Sequence, residues 1–298
     1  MMNIFLRWFK FRWVKAAITF TILIVFSYAF VLPWLSHYLQ SKFLSTAPNG
    51  VETPATYGIP FERVNILSNN RYLDSYVVNA PSKKQIPEAL LIFHGAEETI
   101  SNWAKCQKLL YDHNISSLVF DYSGFGNSTH DASIKNLNQD AIAAYSYFIS
   151  KFKNSKVYVL GFSLGNAPML ASIESFKPAP SGMIIGSAFS SLKDLGKYSG
   201  KSTSYFKIFA KLIPDVWNNT KAIKVNHIPI LVLHSDSDAS NPLFMGQEIY
   251  ALANEPKQFE LLHGLKHNAP ISDSSQTWWN PVIRFIEGNK NIMNPQDQ

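Results

Sequence analysis

The stretch Lys156-Val157-Tyr158-Val159-Leu160-Gly161-Phe162-Ser163-Leu164-Gly165-Asn166 decides how this chain is read. Residues 157–160 are apolar and rich in β-branched side chains, which suits a buried strand. Residues 166–176 continue in a helix-like pattern. Strand, sharp turn and helix around Gly-x-Ser-x-Gly is the context of a nucleophile elbow. The turn forces a strained backbone on the serine, and glycines two residues either side remove Cβ atoms that would collide there. The reading places Ser163 Oγ clear of the carboxyl end of the strand. It also turns the backbone N–H of Leu164 toward any oxyanion that forms.

Working outward, short apolar runs alternate with helical stretches. Strands are expected at 61–67, 73–78, 89–93, 115–120, 156–160, 182–185, 229–233 and 258–262. Helices are expected at 100–113, 135–152, 243–252 and 278–286. Short buried strands separated by helices predict an α/β fold, a mostly parallel sheet covered on both faces. Residues 188–227 break the rhythm with serines, glycines and an apolar piece at 205–213, and read as a small lid insertion.

The first 45 residues are different. They hold Arg7, Lys10, Arg12, Lys15 and Lys42 and no acidic residue. Residues 16–35 carry no charge, enough to span a hydrocarbon core of about 30 Å. Trp8 and Trp13 on one side, and Trp34 and Tyr38 on the other, read as interfacial anchors. The basic residues ahead of the span place that end in the cytoplasm. A cleaved signal peptide would show a shorter apolar run ending in small residues, whereas Val31-Leu32-Pro33-Trp34 follows here. The expected layout is a cytoplasmic tail at 1–12, a transmembrane anchor at 13–35 and a linker at 36–56. A catalytic domain at 57–288 and a polar tail at 289–298 complete it. That domain is expected on the side opposite the cytoplasm, periplasmic in a bacterium or lumenal in a eukaryote.

Composition narrows the function classes. Hydrophobic residues make up 46% of the 298 and charged residues 16%, which excludes a disordered chain. Five of the 27 basic residues lie in the N-terminal segment, leaving 22 against 21 acidic residues in the rest. The folded part is nearly neutral, so a nucleic-acid partner has no electrostatic footprint. The single cysteine, Cys106, excludes an internal disulfide framework and a Cys-based zinc cluster. No His/Asp/Glu spacing suggests another metal, and no cofactor is expected.

A serine nucleophile needs a base, and the base needs an orienting group. After Ser163, the apolar run Leu231-Val232-Leu233 enters a loop with His234, Asp236 and Asp238. Then Gly264-Leu265-Lys266-His267-Asn268 forms a loop after an extended segment. Each candidate follows a strand, at the edge where open α/β sheets build their sites. Asp236 and Asp194 are rival acids, and His263 lies close to His267. His94 and His234, at strand ends, read as structural.

These motifs together resemble the α/β-hydrolase family of serine hydrolases. They are most similar to its small-lidded branch, which includes membrane-anchored acyl-protein and lipid hydrolases and serine-aminopeptidase-like proteins. That branch has His-Gly-Asn-Ala-Glu-Asn-Ile-Ser where this chain has His94-Gly95-Ala96-Glu97-Glu98-Thr99-Ile100-Ser101. Its Asp-Tyr-x-Gly-x-Gly-x-Ser is matched from Asp121 to Ser128. In its His-Gly-x-x-Asp-x-x-Val-Pro frame, His234 and Pro242 put the acid at Asp238, and its Gly-x-x-His-Asn matches Gly264 to Asn268. The resemblance covers about 60–285. It implies a triad of Ser163, Asp238 and His267, with the backbone N–H groups of Ala96 and Leu164 as the oxyanion hole. It implies an acyl ester, thioester or lipid substrate. A peptidase of the aminopeptidase-like type and a catalytically silent tethered binding module are the alternatives. Glu98 reads as a loop anchor, and Asp121 and Ser128 as braces. The chain departs from the pattern at Ala96 for asparagine, Ser235 for glycine, Asn241 for valine, and Asn166 where a small residue is common. These departures put the shape of the surrounding loops in question.

Overall fold

The computed structural model describes residues 2–31, 34, 44, 50–198, 216–272 and 276–288. The chain divides into two units, Met1–Ser45 and Thr46–Gln298.

In the first unit, helix α1 runs Met2–Phe26 and continues as a wider helical turn over Ser27–Val31. Arg12–Val31 is apolar and long enough to cross a membrane, with a mean hydropathy of 2.0 and no buried surface. Its polar side chains need internal partners in such a setting. Thr21 Oγ1 finds one by donating to the Ala17 carbonyl at 2.9 Å.

In the second unit the apolar runs become strands. They are β1 Glu62–Ser68, β2 Arg71–Val78, β3 Glu88–Phe93, β4 Ile115–Phe120, β5 Lys156–Phe162, β6 Gly182–Gly186, β7 Ile230–Ser235 and β8 Lys257–Leu262. They form one sheet in the order β1-β2-β4-β3-β5-β6-β7-β8. β1 and β2 are antiparallel to their neighbours, and β3 to β8 run parallel. Every residue of β3, β4, β6 and β7 is buried, so these strands read as unbroken apolar runs. All eight expected strands are present, most within one or two residues of the expected bounds; β5 runs two residues further, to the elbow.

Helices cover the sheet: α2 Ala104–Asp112, α3 Ile134–Lys151, α4 Asn166–Ser172, α5 Leu192–Tyr198, α6 Asn219–Lys224, α7 Leu243–Leu252, α8 Ala269–Ser272 and α9 Trp279–Glu287. Ser133 starts α3 by accepting the Asn136 N–H at 3.1 Å, an N-cap. The helix then buries Leu137, Ala141, Ala144 and Phe148, which share one face at helical spacing. In α9, Trp279, Val282, Ile283 and Ile286 do the same, and Gly288 ends the helix in the left-handed conformation (φ 69°). The main core joins the α9 face to Leu90, Ile92, Leu160, Phe162, Ile184 and Leu233 of the central strands.

The lid reading can be followed at its two ends. Ser191 pairs with Asn218. The Leu192 N–H donates to the Trp217 carbonyl and the Thr220 N–H to the Ser190 carbonyl. The chain therefore leaves and re-enters at one place. The apolar piece at 205–213, the tail at 289–298 and most of the linker at 36–56 lie outside the described residues.

Sheet order fixes where a site can form. After β3 the chain crosses to β4 on one side, and later to β5 on the other. Loops leaving β3 and β5 at their carboxyl ends therefore diverge and leave a crevice. The loops after β7 and β8 open on the same edge.

Candidate active site

Ser163 sits in that crevice, at the end of β5. Its φ of 50° is in the left-handed region, uncommon for a residue with a side chain. Two close approaches enforce the turn. A Cβ on Gly165 would overlap the Phe93 carbonyl. A Cβ on Gly161 would lie 2.7 Å from Asn166 Oδ1 and 2.8 Å from Asn166 Cα. The first contact seats the elbow against the start of the loop after β3. The second explains Asn166, which departs from the family pattern. Its buried amide donates to the Ser163 carbonyl at 3.1 Å and to the Gly186 carbonyl at 2.9 Å. It thus fastens the strained turn to β6.

His267 comes from the loop after β8. Its Nε2 is 2.9 Å from Ser163 Oγ, and its Nδ1 is 2.8 Å from Asp238 Oδ2. Ser163 and His267 are half-buried, whereas the Asp238 side chain is fully enclosed. The second Asp238 oxygen accepts the Ser240 and Asn241 N–H groups, each at 2.9 Å. Burial pushes the Asp238 carboxyl up, but the bond and charge of His267 and the Asn241 N–H outweigh it, so it lies below its ordinary range. An ionised carboxylate on Nδ1 favours the imidazole tautomer in which Nε2 is an acceptor facing Ser163 Oγ. Phe162 packs against His267, with ring centroids 5.3 Å apart and the rings tilted by 37°.

Asn241, another departure, closes this acid loop. Its amide donates to the Ser187 carbonyl at 2.6 Å, and its carbonyl lies 2.8 Å from His234 Nε2. His234 is buried, and burial holds its basicity below the ordinary value.

The residues proposed to hold an oxyanion sit across the elbow. Ala96 lies in the loop after β3, and Leu164 follows the serine. The loop turns sharply at Glu97, with φ of 58°. Glu98 anchors it: Oε2 accepts the Gly95 N–H at 2.8 Å and the Trp103 indole N–H at 2.9 Å. Burial pushes the Glu98 carboxyl above its usual range, although His94 and these donors oppose it. His94 Nδ1 is 2.8 Å from the Gly95 carbonyl, and Nε2 is 3.2 Å from Asp121 Oδ1. Burial lowers the His94 basicity, but the Asp121 and Glu98 carboxylates overcome it and raise the value.

Asp121 and Ser128 are braces. Asp121 Oδ1 accepts the Ile100 N–H at 2.9 Å, and Ser128 Oγ donates to the Asp121 carbonyl at 2.7 Å. Asp194 accepts Ser191 Oγ at 2.7 Å, in the first turn of α5. Asp236 and His263, the rival acid and rival base, pair with each other: Oδ2 and Nδ1 are 2.7 Å apart. Sequence reasoning missed the buried Arg71–Asp140 ion pair at 2.9 Å, which braces the loop after β4 through Ser123. Its partners lie about 70 residues apart, and no local pattern joins them. Among the described residues, no three His, Cys, Asp or Glu side chains converge to hold a metal ion.

Comparison with known proteins agrees with this architecture. The family model of serine aminopeptidase, S33, matches residues 84–220. Protein bem46 of Schizosaccharomyces pombe is 24% identical over 76% of this chain and 72% of its own length. The lysophosphatidylserine lipase ABHD12 of Danio rerio is 25% identical over 56% of this chain, which spans about half (48%) of that lipase. Among solved structures, the Pyrococcus furiosus esterase Pf2001 superposes with a TM-score of 0.65 at 20% identity, covering 82% of this chain and 98% of that one. With the parallel sheet and the strand order, the superposition shows an α/β-hydrolase fold, and the matched family model and these relatives support a hydrolase of α/β-hydrolase type.

Proposed function

We propose that this chain is a membrane-anchored serine hydrolase that cleaves an acyl ester or thioester of a lipid or acylated substrate. The hydrogen-bonded line Ser163–His267–Asp238 carries the proposal. Ser163 Oγ attacks the acyl carbonyl while its proton passes to His267 Nε2. Asp238 holds the imidazole tautomer and stabilises the imidazolium. The N–H groups of Ala96 and Leu164 receive the oxyanion, each contributing about 3 kcal/mol to the barrier reduction. Collapse of the tetrahedral intermediate expels the alcohol or thiol, which takes the proton from His267. Water, deprotonated by His267, then attacks the acyl-enzyme and frees the acid and Ser163.

The apolar helix at Arg12–Val31 supports the anchoring and, with the lipase among the relatives, an amphiphilic substrate. The basic residues preceding it favour a cytoplasmic N-terminal end, with the catalytic domain on the other side. The aminopeptidase description of the matched family keeps a peptidase as the second reading.

A fluorophosphonate probe tests the chemistry, since it labels only an activated serine. Labelling of the wild type at Ser163 is expected. A p-nitrophenyl ester series of increasing chain length, run beside aminoacyl-p-nitroanilides, then assigns the substrate class. No labelling and no turnover would leave a tethered binding module in place of an enzyme. Turnover of anilides alone would give the peptidase.

A further inference from the structure

The triad depends on the placement of His267, and the loop that carries it has little backbone support. Among the described residues β8 is the edge strand and pairs only with β7, their register ending at Ser235 and Leu262. One more backbone bond follows, from the Asp236 N–H to the Leu262 carbonyl at 3.0 Å. Beyond it, no backbone–backbone bond joins residues 263–265 to another element among the described residues. Side chains of the acid loop take over. Asp236 Oδ1 accepts the Gly264 N–H at 2.9 Å, and Ser235 Oγ donates to the Leu265 carbonyl at 2.6 Å. Asp236 Oδ2 meets His263 Nδ1 at 2.7 Å. Leu265 also packs against the core.

We propose that Asp236 and Ser235 are positioning residues that clamp the histidine loop to the acid loop and so hold His267 between Asp238 and Ser163. The inference rests on the serine-hydrolase reading and deepens it. Asp238 leaves β7 two residues after Asp236, and His267 leaves Gly264 three residues later, so a shift between the two loops opens the Asp238–His267 bond directly. Geometry supports the clamp at Gly264: its N–H meets Asp236 from a residue with φ of 70°, where a side chain would be strained. The Gly264 N–H, followed by His263 and the Ser237 hydroxyl, holds the Asp236 carboxyl down to about 2, so it stays an anionic acceptor at working pH. The His263 contact is the minor part, because His263 is mostly exposed (76%) and exposed ion pairs contribute little. The anionic acceptor on a backbone N–H is the stronger tie. Ser235, where the family frame has glycine, acquires its reason: its hydroxyl reaches the Leu265 carbonyl, a bond glycine lacks.

The experiment is the rate of fluorophosphonate labelling, with kcat and KM for a short ester, in full-length Asp236→Ala, Asp236→Asn, Ser235→Ala and His263→Ala. Asp236→Ala is expected to lower labelling and kcat about tenfold with KM changed less than twofold. Asp236→Asn keeps an oxygen for the Gly264 N–H and is expected to recover to within about threefold of the wild type. Ser235→Ala should fall between them, and His263→Ala should stay within twofold. Thermal unfolding of each variant reads folding separately, and Asp236→Asn and Ser235→Ala keep the test open should the alanine variant at 236 not fold. A reactive wild type with Asp236→Ala and Ser235→Ala reacting at the same rate overturns the clamp alone. A drop confined to KM, or one equal for Asn and Ala, also overturns it. A wild type that takes no label overturns the serine-hydrolase reading, and the clamp falls with it.

Discussion

Glu98 Oε2 accepts the Gly95 N–H at 2.8 Å and the Trp103 indole N–H at 2.9 Å, tying the loop after β3 to the turn that precedes α2. Removing the acceptor strands two buried donors, each costing about 1–3 kcal/mol. Glu98→Ala is therefore expected to lose about 2–6 kcal/mol in urea unfolding. Glu98→Gln offers the same acceptor oxygen without charge. Because Gln still offers both donors an acceptor, it should hold stability within about 1 kcal/mol. Equal losses for the two variants would mean that a charged carboxylate, not an acceptor, is required.

Ser163→Ala removes one half-buried hydroxyl and leaves the strained turn in place. Its melting temperature should match the wild type within about 2 °C, since surface substitutions usually stay within about 0.5 kcal/mol. Fluorophosphonate labelling and ester turnover should vanish, with turnover down by several orders of magnitude. Wild-type labelling in this variant would place the nucleophile elsewhere.

Asp238→Asn keeps the size of the side chain but presents an amide to His267 Nδ1, favouring the wrong tautomer. Turnover should fall by up to about 10⁴-fold. Stability carries a second signature. The folded Asp238 carboxyl lies below its ordinary value, so between the two values the unfolded chain binds the extra proton and stability rises with pH. The contribution is complete above about pH 4, near the unfolded value, and is lost as pH falls through the folded one. Asp238→Asn should lack this part of the acid-induced loss. Parallel stability–pH curves below pH 5 would contradict it.

The buried Arg71–Asp140 pair joins β2 to α3, with side-chain exposures of 6% and 0%. Removing one partner leaves an uncompensated buried charge, about 3–5 kcal/mol. Arg71→Leu or Asp140→Ala should each lose that much in denaturant unfolding. A hydrophobic replacement of both should recover a large part, which a double-mutant cycle would read.

The apolar segment Arg12–Val31 should keep the protein in the membrane fraction through alkaline wash. With a C-terminal tag, protease outside sealed spheroplasts should digest the catalytic domain if Arg7, Lys10, Arg12 and Lys15 hold the preceding end in the cytoplasm. Full protection of the tag would reverse the orientation. A shortened, wash-soluble form would replace the anchor with a cleaved signal.

Local chemistry made much of this protein legible in the sequence. Gly161 and Gly165 around Ser163 announced the elbow because only glycine allows those backbone approaches, a constraint carried within five residues. The alternation of apolar runs and helical faces gave the strands and helices, because periodicity is a local property of the chain. The apolar N-terminal segment was equally plain, since its length and lack of charge are matters of composition. What only the tertiary structure decided is which distant groups meet. The sequence left Asp236 beside Asp238 and His263 beside His267 as rivals. The register of β7 against β8 resolves them into two pairs, one on Ser163 and one at the surface. Asn166, Ser235 and Asn241 looked like defects in a motif, yet each supplies a hydrogen bond between segments 20, 30 and 54 residues apart. Such bonds depend on three-dimensional closure, and no pattern along the chain records where a side-chain amide or hydroxyl will find its partner.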